Sequence, residues 1–260
     1  MPVFSAVWPC NCPIILSVLT LALDTTSPSG SLAVLRDDKV IGTVSTWTNE
    51  IYSSRMFRHL EFLLQELSLD LGAFDLFAVA AGPGSFTGLR VGLAAVKGWA
   101  EVYDKPTAAV SGLEAVAIQS DSAAPLLVPV LDARRGQVYM GHYRRTGEPG
   151  KNRLALQGDE CVMTPEELLE GLHSEKVLSD FAIVTPVPGL LSSAMSRYET
   201  TQPSADRIRV HEVSDVLAPY VGRLGYRRAQ RGELMNSLTL DANYVRRTDA
   251  ELHWKGPAGS

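Results

Sequence analysis

Cysteine is scarce in this sequence: three in 260 residues, Cys10, Cys12 and Cys161. An odd, sparse set builds no disulfide framework and suits a reducing compartment, so the expected location is the cytoplasm. Cys10-Asn11-Cys12 lacks the second pair of ligands that a zinc knuckle needs. The five histidines, His59, His142, His173, His211 and His253, include no pair four residues apart. Metal sites of the H-x-x-x-H and H-E-x-x-H kinds are therefore not written here. Neither G-x-x-x-x-G-K-[ST] nor G-x-S-x-G occurs, which removes the commonest phosphate loop and the hydrolase nucleophile elbow. A dominant positive charge is missing too. Lys and Arg number 24 against 29 Asp and Glu, a net charge of −5, so no whole-molecule basic field draws nucleic acid. The apolar run from Pro13 to Leu23 is too short to cross a bilayer and ends on Asp24. Without a basic start, and interrupted by prolines, the first residues do not read as a signal peptide. Residues 1–13 are expected to be an extension that the fold does not need.

What is present is a chain of 45% hydrophobic content, enough for one large domain or two small ones. Ile15–Leu23 reads as a buried strand, Ser31–Arg36 as a second and Val40–Trp47 as a third. Met56, Leu60, Leu63, Leu64 and Leu67 then recur at helical spacing behind Ser53 or Ser54 as cap. Phe57 and Phe62 fall off that stripe, which predicts a second apolar side on the helix. Phe74–Ala81 reads as a strand, and a glycine-rich helix follows to about Val102. "KPTAAVS" is a strand and "SGLEAVAIQS" a helix capped by Ser111. The order β-β-β-α-β-α-β-α places the chain among α/β proteins. "SDSAAP" marks a boundary near residue 122, after which "LLVPVLDARRGQVYMGHYRR" repeats the opening: an apolar strand ending in aspartate, then a hairpin. This suggests a duplicated fold. Residues 146–215 read as irregular apart from the helix "TPEELLEGL", with Thr164 and Glu167 as a capping box. The last strong helix is "SDVLAPYVGRLGYRRAQRG", whose arginines are a candidate contact for an acidic partner or RNA. The polar tail "ANYVRRTDAELHWKGPAGS" reads as loosely held.

The segment "AVAAGPGSFTGLRVGLAAVKGWA" carries the most information. G-x-G-x-x-G is missed by one place at Thr87. A generic helix N-terminus capped by Ser85 or Thr87 remains a possible anion site. The spacing favours another use: Gly84, Gly88 and Gly92 are four apart and leave one flank of the helix without side chains. Such a flank lets another element approach closely, within the chain or from a partner. Asp24 and Asp132 each end an apolar strand before a turn rich in donors. Together they could hold a magnesium nucleotide between two lobes; singly, each reads as the cap of its own turn.

"LALDTTSPSGSLAVL", "AAGPGSFTGLRVGLAAVKGWA" and "VPVLDARRGQVYMGHYRR", in that order and spacing, resemble the TsaB family. The resemblance covers residues 16–145 well and continues weakly to "NYVRR". It implies a two-lobed actin/Hsp70-like (ASKHA, ribonuclease H-like) α/β fold with mixed sheets. The lobes would span 14–121 and 122–213, with a final helix at about 214–231 able to pack back on the first lobe, and a tail at 232–260. It implies a non-catalytic partner of TsaD in bacterial tRNA threonylcarbamoyladenosine synthesis. Asp24, Thr25, Thr26 and Asp132 match degenerate phosphate-loop positions, and Gly189 is the single glycine in the candidate adenosine loop. No cofactor is expected in isolation, since ATP and metal belong to the partner subunits. The implied docking surface comprises Met56, Phe57, Leu60 and Leu64 on the first helix and Gly84, Ser85, Gly88, Arg90 and Gly92 on the second. The implied partners are a TsaD-like catalytic subunit and a TsaE-like ATPase, with tRNA only within the complex, a homodimer in isolation and no membrane. The alternative is an actin-like ATPase or phosphotransferase using Asp24 and Asp132 around a magnesium nucleotide. A metallopeptidase is a third reading, and the missing histidine pair stands against it.

Overall fold

A strand buried along its whole length opens the fold: β1 (Leu19–Asp24) exposes no residue. The computed structural model describes residues 17–47, 52–146, 153–174, 180–201 and 208–245. The expected extension at 1–13 and the end of the tail from Arg246 lie outside the described residues. β1 pairs antiparallel with β2 (Ser31–Arg36), and β2 pairs antiparallel with β3 (Lys39–Ser45). β4 (Leu76–Ala80) and β5 (Thr107–Val110) continue the sheet in parallel on the other side, giving the order β3-β2-β1-β4-β5. Helices cover both faces, which is why β1 and β4 read as continuous apolar runs rather than as alternating ones.

On one face Leu19, Leu21 and Leu23 meet Met56, Leu60 and Leu63 of α1 (Tyr52–Leu67) and Leu89, Leu93 and Val96 of α2 (Phe86–Tyr103). α1 already includes Ser53 and Ser54, so neither caps it. On the other face Ala22, Ala33, Leu35 and Ala78 meet Val221 and Leu224 of α6 (Ala218–Gln230). Gly222 and Gly225 make that contact close: a Cβ on Gly225 would lie 2.7 Å from the Ala78 Cβ, and one on Gly222 would strike the Leu35 side chain.

α3 (Gly112–Ala117), capped by Ser111, leads from the first sheet to the second. There β6 (Leu126–Arg134) pairs antiparallel with β7 (Gln137–Thr146), which pairs antiparallel with β8 (Arg153–Met163). β9 (Phe181–Thr185) runs parallel beside β6, and β10 (Val210–Glu212) parallel beside β9. The order β8-β7-β6-β9-β10 repeats that of the first sheet, strand for strand and direction for direction. This is the two-lobed actin/Hsp70-like architecture, and the repeated hairpin in the sequence is its trace. The stretch 146–215 is more regular than its sequence indicates. It holds β8, α4 (Pro165–Ser174), β9, α5 (Ser192–Thr201) and β10. Thr164 and Glu167 form the expected reciprocal cap on α4: the Glu167 N–H donates to Thr164 Oγ1 at 3.2 Å, and the Thr164 N–H donates to Glu167 Oε2 at 2.7 Å.

The chain after α6 is also held to the first lobe, and of the stretch read as loose only residues 242–245 are described. Met235 and Thr107 exchange two backbone hydrogen bonds, each 2.8 Å, along the edge of β5. Leu240 is fully buried in the cluster beneath α2. The Asn243 N–H then donates to the Ala81 carbonyl at 2.7 Å. Residues 234–245 are thus a strap laid along the first lobe.

Candidate functional site

The turn after β1 is built by Asp24, which is completely buried. Its Oδ1 accepts the Thr26 N–H at 2.8 Å and the Thr26 hydroxyl at 2.6 Å; its Oδ2 accepts the Ser27 hydroxyl at 2.8 Å. Burial pushes this carboxyl up from its ordinary value, and the Thr26 and Ser27 donors pull it part of the way back. The far side of the turn is closed by the Ser29 hydroxyl, which donates to Asp215. Asp132 likewise caps its own turn. It accepts the Arg134 N–H at 2.7 Å and pairs with the Arg134 guanidinium at 3.2 Å.

Thr25 resolves the glycine flank. Its hydroxyl donates to the Gly88 carbonyl at 2.6 Å. A Cβ at Gly88 would collide with the Thr25 carbonyl oxygen, and one at Gly92 with the Thr25 hydroxyl. A Cβ at Gly84 would come within 2.7 Å of the Thr26 Cβ. The bare flank therefore receives the chain's own first turn. This corrects the assignment of Gly84, Gly88 and Gly92 to a partner surface. Asp24, Thr25, Thr26 and Asp132, the degenerate phosphate-loop positions, are each engaged within the chain. The aspartates are engaged by their own turns and the space beside α2 is filled by Thr25, so these residues as arranged do not fit a magnesium nucleotide. Among the described residues no group of three or more His, Cys, Asp or Glu side chains comes together to hold a metal.

Met56 and Leu60 are corrected in the same sense, being 0% and 5% exposed in the lobe's own core. Leu64 is half-buried. Phe57 and Phe62 point outward at 58% and 55% exposure, as their place off the stripe predicts. On α2 the outward row is Thr87, Arg90, Ala94, Gly98 and Glu101. Nothing lies within 4 Å of a Cβ built at Gly98. Ser85 is exposed and caps α2, accepting the Gly88 N–H at 3.3 Å. Arg90 lies over the Phe86 ring, 3.9 Å from its centroid. The open surface of the helix pair is thus Phe57 and Phe62 on α1 with Ser85, Phe86, Arg90, Ala94 and Gly98 on α2. Sequence reasoning missed Ala94 and Gly98, because the denser glycine repeat on the adjacent flank drew attention away from them.

A family model described as TsaD: tRNA N6-adenosine threonylcarbamoyltransferase matches residues 37–202. The tRNA threonylcarbamoyladenosine biosynthesis protein TsaB of Haemophilus influenzae is 33% identical over 164 residues, 60% of this chain and 68% of that protein. The chain belongs to the TsaB family. The TsaB of Bacillus subtilis is 38% identical over 124 residues, 48% of this chain and only 54% of the relative. This chain thus spans about half of that relative's length. A crystal structure of an uncharacterized Pseudomonas aeruginosa protein, with similarity to peptidase YEAZ, superposes with a TM-score of 0.70. It covers 88% of this chain and 100% of that one at 23% identity, which supports the fold.

In this TsaB-family chain three arginines at and just after the end of α6 are ion-paired within the chain. Arg228 pairs with Glu114 at 2.7 Å, Arg227 with Asp38 at 3.7 Å and Arg231 with Glu233 at 2.7 Å. Burial pushes the Glu114 carboxyl up, and the Arg228 guanidinium opposes the rise. Arg246 and Arg247 lie outside the described residues. Among the described residues no helix is long and apolar enough to cross a membrane.

Proposed function

We propose that this protein is a non-catalytic scaffold subunit that takes part in threonylcarbamoyl modification of the tRNA adenosine next to the anticodon. It docks the outward face of α1 and α2 onto a TsaD-like catalytic subunit. A TsaE-like ATPase and tRNA join only in the complex, where ATP and metal belong to the other subunits, and in isolation the same face pairs two copies of this chain. The names of the relatives support the pathway. The observation that supports the docking reading is the exposure of Phe57 and Phe62 on α1 together with the open Ala94–Gly98 row on α2. Exposed aromatics next to a row with little side chain let a second helix pack closely.

Calorimetric titration of the purified chain with a TsaD-like subunit tests this. Phe57→Glu and Gly98→Arg are each expected to weaken binding about tenfold or more, as central interface positions do. Affinity within twofold of the parent for both variants places the docking surface elsewhere. Saturable ATP binding by the isolated chain, abolished in Asp24→Ala, would return the ATPase reading.

A further inference from the structure

The strap does more than close the edge of the sheet. After Leu240 is buried under α2, the chain turns at Asn243 and lays Tyr244 against Phe86, with ring centroids 5.5 Å apart. Phe86 already carries the Arg90 guanidinium on its ring. The result is an Arg90–Phe86–Tyr244 stack at the start of α2, with Phe86 38% and Tyr244 46% exposed. Among the described residues Arg90 makes no ion pair, whereas Arg227, Arg228 and Arg231 do. The strap is held from the other lobe as well. The Asn243 side chain donates to Glu160 Oε2 at 2.6 Å, while Glu160 Oε1 accepts the Tyr143 hydroxyl at 2.5 Å and the Ser111 hydroxyl.

We propose that the C-terminal strap forms the third side of the docking face: Tyr244 and Arg90 meet the same protein partner, which presents a carboxylate to Arg90. Three observations converge on this. The stack is continuous with the exposed row of α2. It combines aromatic rings with an uncompensated cation, the residue types that dominate interface energetics. Asn243, fixed by its backbone to the first lobe and by its side chain to the second, holds Tyr244 in place before the partner arrives, which lowers the ordering cost of association.

The inference rests on the docking reading above, and the titration separates the two. Tyr244→Ser and Arg90→Glu are each expected to weaken partner binding about fivefold or more, and the contribution of Arg90 is expected to fall with added salt. Asn243→Asp sets two carboxylates against each other and is expected to weaken binding comparably. Adding Glu160→Gln to that variant restores it, because the amide introduced on β8 then donates to the carboxylate introduced on the strap. Leu240 is untouched in all four variants, and an unchanged melting temperature confirms that the fold is intact. If Phe57→Glu weakens binding while Tyr244→Ser, Arg90→Glu and Asn243→Asp stay within twofold of the parent, docking stands and the strap proposal falls. Should Phe57→Glu also have no effect, both fall. If Tyr244→Ser weakens binding of transcribed tRNA and leaves the protein partner's affinity unchanged, the stack faces RNA and the proposal is overturned.

Discussion

Asp24 shows how a residue with the position of a ligand becomes a structural one. Three donors from Thr26 and Ser27 satisfy its oxygens inside a sealed turn. Burial still outweighs them, so the folded carboxyl binds its proton more tightly than the ordinary 3.8. The folded state therefore holds that proton to higher pH than the unfolded chain does. Stability from this group is complete below about pH 4 and is lost as pH rises through the raised folded value. Asp24→Asn keeps the acceptor for Thr26 and lets the Ser27 hydroxyl accept from the new amide. We expect thermal melts of this variant to lose that fall, so that its melting temperature gains on the parent's from about pH 4 to about pH 7. A constant difference between the two across that range would show that Asp24 titrates alike in both states. At Gly88 and Gly92 the lesson is steric. A side chain at either position unseats the Thr25 turn, so its effect on partner binding would report a disturbed fold, whereas a side chain at Gly98 meets open space.

At the scale of elements, periodicity was a good guide to which residues share a flank and a poor one to what meets that flank. Gly84, Gly88 and Gly92 do share a side of α2, and the Asp24–Ser27 turn is where its donors indicate. Each is the other's contact, and nothing in either stretch alone says so, because the pairing spans 63 residues at Thr25–Gly88. Two-sided burial made β1 and β4 legible as apolar runs, while β8 is half-exposed with weak alternation and β10 has only three residues. Only the end of the strap, from Ala242, was read as loose because the sequence there is polar; the Asn243 N–H fixes that end to Ala81, and one leucine anchors the strap before it. Leu240→Ala leaves a cavity under α2 where the parent side chain is 0% exposed. We expect it to cost about 2–5 kcal/mol in urea unfolding; a loss below about 0.5 kcal/mol, typical of surface sites, would mean that the strap detaches readily.

For the molecule as a whole, the duplicated order of strands was visible only in the two matching hairpins, since β8 is half-exposed, β9 has five residues and β10 three. The return of the chain to its first lobe was implied by resemblance rather than by composition. It has a mechanical meaning: α6 covers the first sheet through Gly222 and Gly225, and the strap fills the space below α2. A chain cut after residue 213 lacks both, leaving the α6-facing side of the first sheet bare. We expect such a fragment to show no cooperative melt by circular dichroism; a sharp transition near the parent's would show that the first lobe is self-sufficient.

During synthesis this order becomes a schedule. Nascent domains ordinarily fold from the N-terminus as they leave the ribosome. Here the first lobe waits for α6 and for Leu240, which packs beneath α2. Polypeptides whose translation stops before Leu240 would expose an unfinished first lobe to proteases.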